Sequence, residues 1–248
     1  MSIPMMRWLL LLVAACGDDG HVNMQIDARP IPDAAPAGDA QPDTLSQLPY
    51  RHAIALDGVD DFATGERFAT TSTSFAARVT WDDQNLYIGY SGPDLATSTT
   101  DAATKWLFVY LDTKAGGEMQ SRLYNTQRAT FPTGFAADYY VRYKCDGTFT
   151  TLERNDAGTW NTATPTPQKA QADTLLELAI PLSAIGAGTQ LGIVTWMINE
   201  KNLGEGSYAG LYAGNFTDGY AANLALTAYL QADFTSPRTP NDPANQRP

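Results

Sequence analysis

Alternation of apolar and polar side chains is the feature of this sequence that most constrains its fold. Between Ala53 and Phe234 this period of two recurs, and in Phe75–Trp81 every odd-numbered residue is apolar. A strand that buries one face has this period. Trp106–Leu111 is apolar at every position, as expected of a strand covered on both faces. Because strands alternate with turns and long amphipathic helices are absent, we predict an all-β fold, an antiparallel, jelly-roll-like β-sandwich over residues 51–235.

The two cysteines are not expected to form a disulfide. Tyr139, Val141, Tyr143 and Cys145 share one face of a predicted strand that precedes an Asp-Gly turn. Cys145 is therefore predicted to be a buried core thiol, since a reactive cysteine needs an exposed, cationic setting. The other cysteine, Cys16, has a different predicted role.

The N-terminal residues have the features of an export signal. Met1–Ala15 contains Arg7, a short apolar run and small residues before Cys16. Val13-Ala14-Ala15-Cys16 resembles the bacterial lipobox. The resemblance implies cleavage before Cys16 and attachment of lipid to its sulfur, and multiple acyl chains give a stable membrane anchor. We expect a lipid-anchored protein of the bacterial cell envelope, at the outer rather than the inner membrane, because Gly17 is not an acid.

Two segments have the composition of disordered chain. Residues 16–50 are rich in Pro, Ala and Asp and have too little apolar surface to offset the entropy cost of ordering. We interpret them as a spacer that follows the lipidated cysteine. The tail, Ser236–Pro248, has four prolines and is likewise predicted to be disordered.

The charge and the motifs exclude several functions. The chain has a formal charge of −11 and no run of Lys or Arg, which excludes nucleic acid as an expected partner. His52 is the only histidine in or near the predicted fold, so a Ser-His-Asp site has a single candidate base. Asn199-Glu200 follows a strand, but the domain is too short for a glycosidase barrel. With no nucleophile elbow and no P-loop, we expect no enzymatic activity.

Four motifs in order resemble those of a known family. They are Ala55-Leu-Asp-Gly58 with Asp60-Asp-Phe62, then Ala77–Ile88, then Leu107–Thr113, and finally Leu175–Leu182 before Gly192. This series is similar to the family 9 carbohydrate-binding modules and the related DOMON-like sandwiches. The resemblance implies a non-catalytic sandwich that binds sugar through aromatic rings and polar hydrogen bonds. Some members of this family also hold a structural calcium ion, so the resemblance allows for one here.

Aromatic residues at predicted turns are the candidate sugar contacts. Gly204–Tyr220 is glycine-rich and has an aromatic residue at every fourth position from residue 208. Such a loop offers flat apolar faces with polar rims, although its rings alternatively fold onto the sandwich. Trp160 lies at another predicted turn, whereas Trp106 and Trp196 lie in apolar strands and are expected in the core. The candidate ligand-binding residues are Trp160, Tyr208, Tyr212, Phe216 and Tyr220.

Acidic residues near the predicted turns are candidates for a calcium site. Asp57, Asp60, Asp61 and Asp112 offer the oxygen ligands that calcium prefers, although the chain has no EF-hand loop. The alternative is that these acids are solvated turn residues. No other cofactor is expected.

Two further functions stay open at this point. One is a structural or adhesion lipoprotein that binds other envelope proteins through a sheet edge or a loop. The other is haem binding, as in some DOMON domains, for which His52, Met119 and Met197 are the available axial ligands.

Overall fold

Two antiparallel sheets pack face to face in this chain. The computed structural model describes residues 47–96, 102–200 and 206–248, which belong to one compact unit, Ser46–Pro248. The predicted signal segment, Cys16 and all but the end of the predicted spacer lie outside the described residues. The prediction of an antiparallel β-sandwich is confirmed.

The smaller sheet has five strands in the order β1-β2-β3-β10-β9. The β2–β3 hairpin turns at Asp82, whose carboxylate accepts hydrogen bonds from the backbone N–H groups of Gln84 and Asn85, both at 2.7 Å. The strands are β1 (Arg67–Ala69), β2 (Ala76–Trp81), β3 (Asn85–Ser91), β9 (Gln168–Ala172) and β10 (Leu175–Pro181).

The larger sheet has the order β15-β14-β11-β4-β6-β7-β8, and β12 also pairs with β11. Its strands are β4 (Lys105–Asp112), β6 (Tyr139–Lys144), β7 (Thr150–Asp156), β8 (Thr159–Ala163), β11 (Gln190–Asn199), β12 (Gly206–Tyr208), β14 (Tyr229–Asp233) and β15 (Gln246–Arg247). Two further short strands, β5 (Arg128–Thr130) and β13 (Asn223–Ala225), pair in parallel outside both sheets.

The main core lies between the two sheets and is built from alternate residues of each strand. Trp81, Ile88 and Leu178 of the smaller sheet contact this core from one side, and Val109 and Ile193 of the larger sheet contact it from the other. These side chains are fully buried. Each stabilises the fold by about 1.5–3 kcal/mol relative to an exposed position. Cys145 lies in the same core as a free, buried thiol, as predicted.

A second apolar cluster lies on the opposite, outer face of the larger sheet. Trp106 and Trp196, which are 8% and 2% exposed, belong to this cluster and not to the layer between the sheets. Two segments cover it, residues 113–138 between β4 and β6 and residues 221–228 around β13. The larger sheet is therefore covered on both faces, which explains why Trp106–Leu111 is apolar throughout.

The C-terminal residues differ from the prediction of a disordered tail. Gln246 and Arg247 pair with β14, and Asn245 is 4% exposed. The Asn241 amide donates hydrogen bonds to the backbone carbonyls of Thr64 and Arg67, at 3.1 and 3.2 Å. Hydrogen bonds from side-chain amides hold the C-terminal residues in place. The prolines also contribute, because proline reduces the entropy lost on folding.

Helical structure in the described residues consists of short 3-10 turns, such as Leu182–Ala184 after β10. None of the described helices has the length and apolar character required to cross a membrane.

Candidate functional site

Segment 113–138 is fixed to the larger sheet at both ends by two carboxylates. Asp138, 1% exposed, accepts hydrogen bonds from the backbone N–H groups of Thr113 and Lys114, at 2.9 and 3.0 Å. Asp112, at the end of β4, accepts one from the backbone N–H of Ala136 at 2.9 Å. The segment therefore has a defined position over the outer face, and the spaces beside it are preformed.

Three clefts lie side by side along segment 113–138, and we refer to them together as the groove. The Asp112 cleft has a volume of about 640 Å³ and shares Lys114 with a central cleft of about 270 Å³. The central cleft shares Glu118 and Gly158 with the Trp160 cleft, of about 340 Å³. The shared residues make the three clefts neighbours in one row.

The Asp112 cleft combines aromatic rings with polar side chains. Phe131 and Phe135, which are 6% and 2% exposed, line it together with Asp112, Gln190 and Gln231. The two phenylalanine rings meet edge-on with centroids 5.0 Å apart. A Cβ atom on Gly192 would lie 3.0 Å from the Phe135 ring, so the glycine in β11 allows this ring to approach the sheet closely. The cleft thus has an apolar wall and several hydrogen-bonding groups.

The carboxylate of Asp112 has a perturbed titration. Its partial burial raises its pKa above the ordinary value of 3.8, as does the nearby negative charge of Asp138, while the hydrogen bond from Ala136 opposes the rise. One carboxylate oxygen accepts the Ala136 hydrogen bond. A carboxylate has about four lone-pair sites, so Asp112 retains acceptor capacity at the cleft.

The Trp160 cleft is built on the β7–β8 hairpin. Trp160, in β8, is partly exposed, and its ring meets the rings of Tyr110 and Tyr140 edge-on, each with a centroid distance of 6.0 Å. Edge-to-face contacts of this kind stabilise aromatic pairs and fix their orientation. The exposed part of the indole therefore lines the cleft from a well-supported position. The other lining residues include Glu118, Gln120, Arg122, Leu123 and Arg128.

The buried carboxylate of Glu153 holds Arg122, which lines the same cleft. Arg122 donates a hydrogen bond from its guanidinium to the carboxylate of Glu153, which is 6% exposed. The backbone N–H of Arg122 donates to the hydroxyl of Tyr110 at 3.1 Å. Arg142 lies 3.9 Å from the other oxygen of Glu153. Arg122 is therefore held at the cleft through both its backbone and its side chain.

The predicted aromatic loop does not form a site with Trp160. Tyr208 packs edge-on against Phe75 at 5.3 Å and Tyr212 against Phe68 at 5.6 Å, both at the main core. Phe216 packs on the second cluster. For these three rings the alternative expectation is correct, because the loop folds onto the sandwich.

A close approach at Gly210 explains the packing of Phe216, whereas Tyr220 lies in a different setting. A Cβ atom on Gly210 would lie 2.2 Å from the Phe216 ring, so the glycine admits the ring against the backbone. Tyr220 is 41% exposed and its hydroxyl lies 3.1 Å from that of Thr126. Of the five predicted contact residues, only Trp160 lines the groove.

The four predicted calcium ligands do not converge. Asp57 accepts a hydrogen bond from the backbone N–H of Val59 at 2.9 Å, and Asp61 accepts one from that of Ala55 at 3.0 Å. Asp60 binds two arginines, and Asp112 belongs to the other sheet. Across the described part of the chain, no group of three or more His, Cys, Asp or Glu side chains has the geometry of a metal site. Hydrogen bonds within turns account for the positions of Asp57 and Asp61, and ion pairs account for that of Asp60.

The candidate haem ligands lie in three different environments. His52 Nδ1 lies 2.7 Å from the Glu66 carboxylate near the N-terminal segment of the domain. Met197 is fully buried in the main core, and Met119 is 70% exposed beside the Asp112 cleft. Their positions do not form a pair of axial ligands.

Several groove residues were missed in the sequence. Phe131 and Phe135 flank Pro132-Thr133-Gly134, a turn-rich stretch without alternation, and this pattern of two aromatic residues around a turn was the available signal. Arg122 and Arg128 gave no local signal, because only the return of segment 113–138 over the sheet brings them to Trp160.

The fold and the groove define a β-sandwich domain with an extended surface cleft. No protein-family model matches the chain, and no curated protein matches it. Among solved structures, it is similar to a family 9 carbohydrate-binding module from Caldicellulosiruptor kristjanssonii, determined in complex with cellotriose. The two chains are 14% identical, the match covers 71% of this chain and 91% of that chain, and the TM-score is 0.41. This is the family that the sequence motifs resemble.

Proposed function

We propose that the domain binds a glycan chain in the groove, without covalent chemistry. The observation that carries this proposal is the row of three adjoining clefts, with the partly exposed ring of Trp160 at one end. A row of clefts suits a ligand made of repeated units. A single compact ligand would instead favour one enclosed pocket.

The lining residues have the chemistry that sugar rings require. Aromatic faces bind the apolar C–H face of a pyranose, and carboxylates, amides and guanidinium groups exchange hydrogen bonds with its hydroxyls. Asp112, Gln190 and Gln231 supply such groups at one end, and Glu118, Gln120 and Arg122 supply them at the other. Asp138 and Asn155 line the centre.

The proposal includes a lipid anchor at Cys16. Cleavage after Ala15 and acylation of Cys16 would hold the domain at the bacterial cell envelope, with residues 16–50 as the spacer. Mass spectrometry of the mature N-terminus tests this part directly. A Cys16→Ser variant is expected to leave the membrane fraction, and retention of that variant in the membrane would contradict the anchor.

Affinity electrophoresis and calorimetry against a broad set of soluble glycans test the binding itself. Trp160→Ala is expected to weaken binding at least about tenfold, roughly the effect of losing one stacking ring. Tyr220→Ala is the matched control, because it also removes a partly exposed ring but lies outside the groove. If no glycan binds, or if both variants bind like the parent, the proposal is wrong.

A further inference from the structure

The Trp160 cleft has a charge environment unlike that of the chain as a whole. The chain has a formal charge of −11, with 16 Lys and Arg against 27 Asp and Glu. The side chains that line this cleft include the guanidinium groups of Arg122 and Arg128 and the carboxylate of Glu118. Glu153 and Arg142 lie behind Arg122, outside the lining. The cleft therefore has a local positive surplus.

Glu153 does not neutralise the cleft completely. Its carboxylate is buried and contacts Arg122 through one oxygen, while Arg142 lies 3.9 Å from the other. One negative charge thus faces two positive charges in a partly desolvated setting, where charge interactions are stronger than in water.

Arg128 is the cation available to a ligand. Its backbone is fixed, because it begins β5, pairs with Asn223 of β13, and its N–H donates to the Ala222 carbonyl at 2.9 Å. Its side chain is exposed and lines the Trp160 cleft. Among the described residues its guanidinium makes no ion pair or hydrogen bond. The pairing of β5 with β13 thus fixes the Arg128 backbone, while its guanidinium is free to bind a ligand.

We infer that the Trp160 cleft binds a sugar that bears a carboxylate, with Arg128 as its partner and Trp160 beneath the ring. The inference deepens the proposed function and depends on it. A planar guanidinium matches a planar carboxylate through two parallel hydrogen bonds, which adds geometric selectivity to the charge.

Glu118 limits how much negative charge the ligand carries. Glu118 lines both the Trp160 cleft and the central cleft. Its carboxylate accepts hydrogen bonds from sugar hydroxyls, but it repels a second carboxylate on the ligand. The overall negative charge of the chain acts in the same direction at longer range. The ligand class is therefore a glycan with isolated uronic acid residues, in contrast to a polymer charged at every unit.

Calorimetry with three matched trisaccharides tests the inference on the whole protein. The probes are glucuronosyl-xylobiose, its methyl ester and a trisaccharide that bears one sulfate and no carboxylate. The acid is expected to bind about tenfold more tightly than its ester, and Arg128→Gln is expected to reduce this ratio of affinities to about one. Arg238→Gln, the same change at an exposed arginine of the C-terminal residues, is expected to preserve the preference.

The outcomes separate the two proposals. Equal binding of acid and ester, or tighter binding of the sulfated probe, would overturn the carboxylate assignment while leaving glycan binding intact. A preference that survives in Arg128→Gln would also overturn it. Failure of every glycan in the broad set would instead reject the proposed function.

Discussion

The ring of Trp160 meets the ring of Tyr110 edge-on, with 6.0 Å between the centroids and 81° between the planes. Tyr110 in turn stacks on Tyr140, with centroids 4.4 Å apart and planes inclined by 11°. The accessible indole of the groove is therefore supported by a pair of buried rings, so a ligand meets it in a defined orientation. This arrangement makes Trp160 a spectroscopic reporter.

We expect glycan binding to change the tryptophan emission through Trp160. The other three tryptophans of the domain, Trp81, Trp106 and Trp196, are at most 8% exposed. In a Trp8→Phe background, acrylamide is expected to quench Trp160 preferentially, and bound glycan is expected to protect it. Trp160→Phe should abolish the ligand-dependent change. A change of equal size in that variant would place the ligand elsewhere.

Asn215 is expected to be essential for the position of the loop that contains Tyr212 and Phe216. Its amide donates to the carbonyls of Leu211 and Ala228 at 2.7 and 3.0 Å, and its oxygen accepts from the N–H groups of Thr227 and Ala228 at 2.8 and 3.0 Å. Asn215→Asp places a carboxylate oxygen against two carbonyls in a site that is 2% exposed. The free energy of unfolding should fall by about 3 kcal/mol.

Chemical denaturation of Asn215→Asp measures this loss. Asn241→Asp is the matched control, because that amide also donates to two backbone carbonyls but at an exposed position. We expect it to cost less than about 1 kcal/mol, since water replaces the lost partner. Similar losses in the two variants would show that burial does not decide the cost.

How far the sequence predicted the fold is clear from β6. Tyr139, Val141, Tyr143 and Cys145 do face the main core, and Tyr140 faces the second cluster, because a period of two depends only on the local backbone. Which segment covers the outer face of the larger sheet depends on contacts between distant residues. The cover formed by segment 113–138 was therefore not predicted, and neither was the groove beside it.

The candidate site shows the same division between local and distant information. Trp160 was predicted as a contact because a turn was expected there. It lies in β8 instead, just after the turn of the β7–β8 hairpin, and it does line a cleft. The regular aromatic spacing between Tyr208 and Tyr220 favoured a binding loop, but close packing at Gly210 and the four hydrogen bonds of Asn215 hold that loop onto the body of the domain. A spacing pattern in the sequence does not distinguish these two outcomes.

Asp60, predicted as a calcium ligand, is expected to stabilise the domain through two arginines. Its carboxylate lies 2.6 Å from Arg78 and 2.7 Å from Arg67, and the Arg78 side chain is only 7% exposed. Asp60→Asn leaves the Arg78 charge buried without its partner. We expect a loss of about 2 kcal/mol, below the cost at a fully buried pair because Asp60 is 30% exposed.

A second Asp-to-Asn change provides the control for Asp60. Asp83 contacts Arg51 at 2.7 Å, but the Asp83 side chain is 84% exposed. Thermal unfolding of Asp83→Asn should resemble that of the parent, since exposed pairs contribute little. If Asp60→Asn is equally mild, the buried arginine has another source of compensation.

Glu177 and Asp60 are expected to give the stability of the domain opposite dependences on pH. Burial of the fully buried Glu177 raises its pKa above the ordinary value of 4.5, and the charges of Asp61 and Asp57 act in the same direction, against the backbone hydrogen bonds from Gly58 and Asp57. Its contribution to stability is thus fully present below the unfolded pKa and is lost as pH rises through the folded pKa.

The pKa of Asp60 moves the other way. Although burial alone raises it, the hydrogen bonds and charges of Arg78 and Arg67 lower it below 3.8. Its contribution is therefore present above that value and is lost as pH falls through the folded pKa. Glu177→Gln retains an oxygen acceptor for the N–H groups of Asp57 and Gly58 but has no charge to desolvate. Relative to the parent, we expect Glu177→Gln to gain stability as pH rises from about 4 to about 7.

Urea unfolding at several pH values tests both residues together. The deficit of Asp60→Asn should shrink as pH falls below about 4, whereas the relative gain of Glu177→Gln should appear only as pH rises above that range. Two residues near one loop then serve as controls for each other, because a general effect of acid on the fold would move both variants in the same direction. Parallel curves for the two variants would show that neither carboxylate has the titration assigned to it.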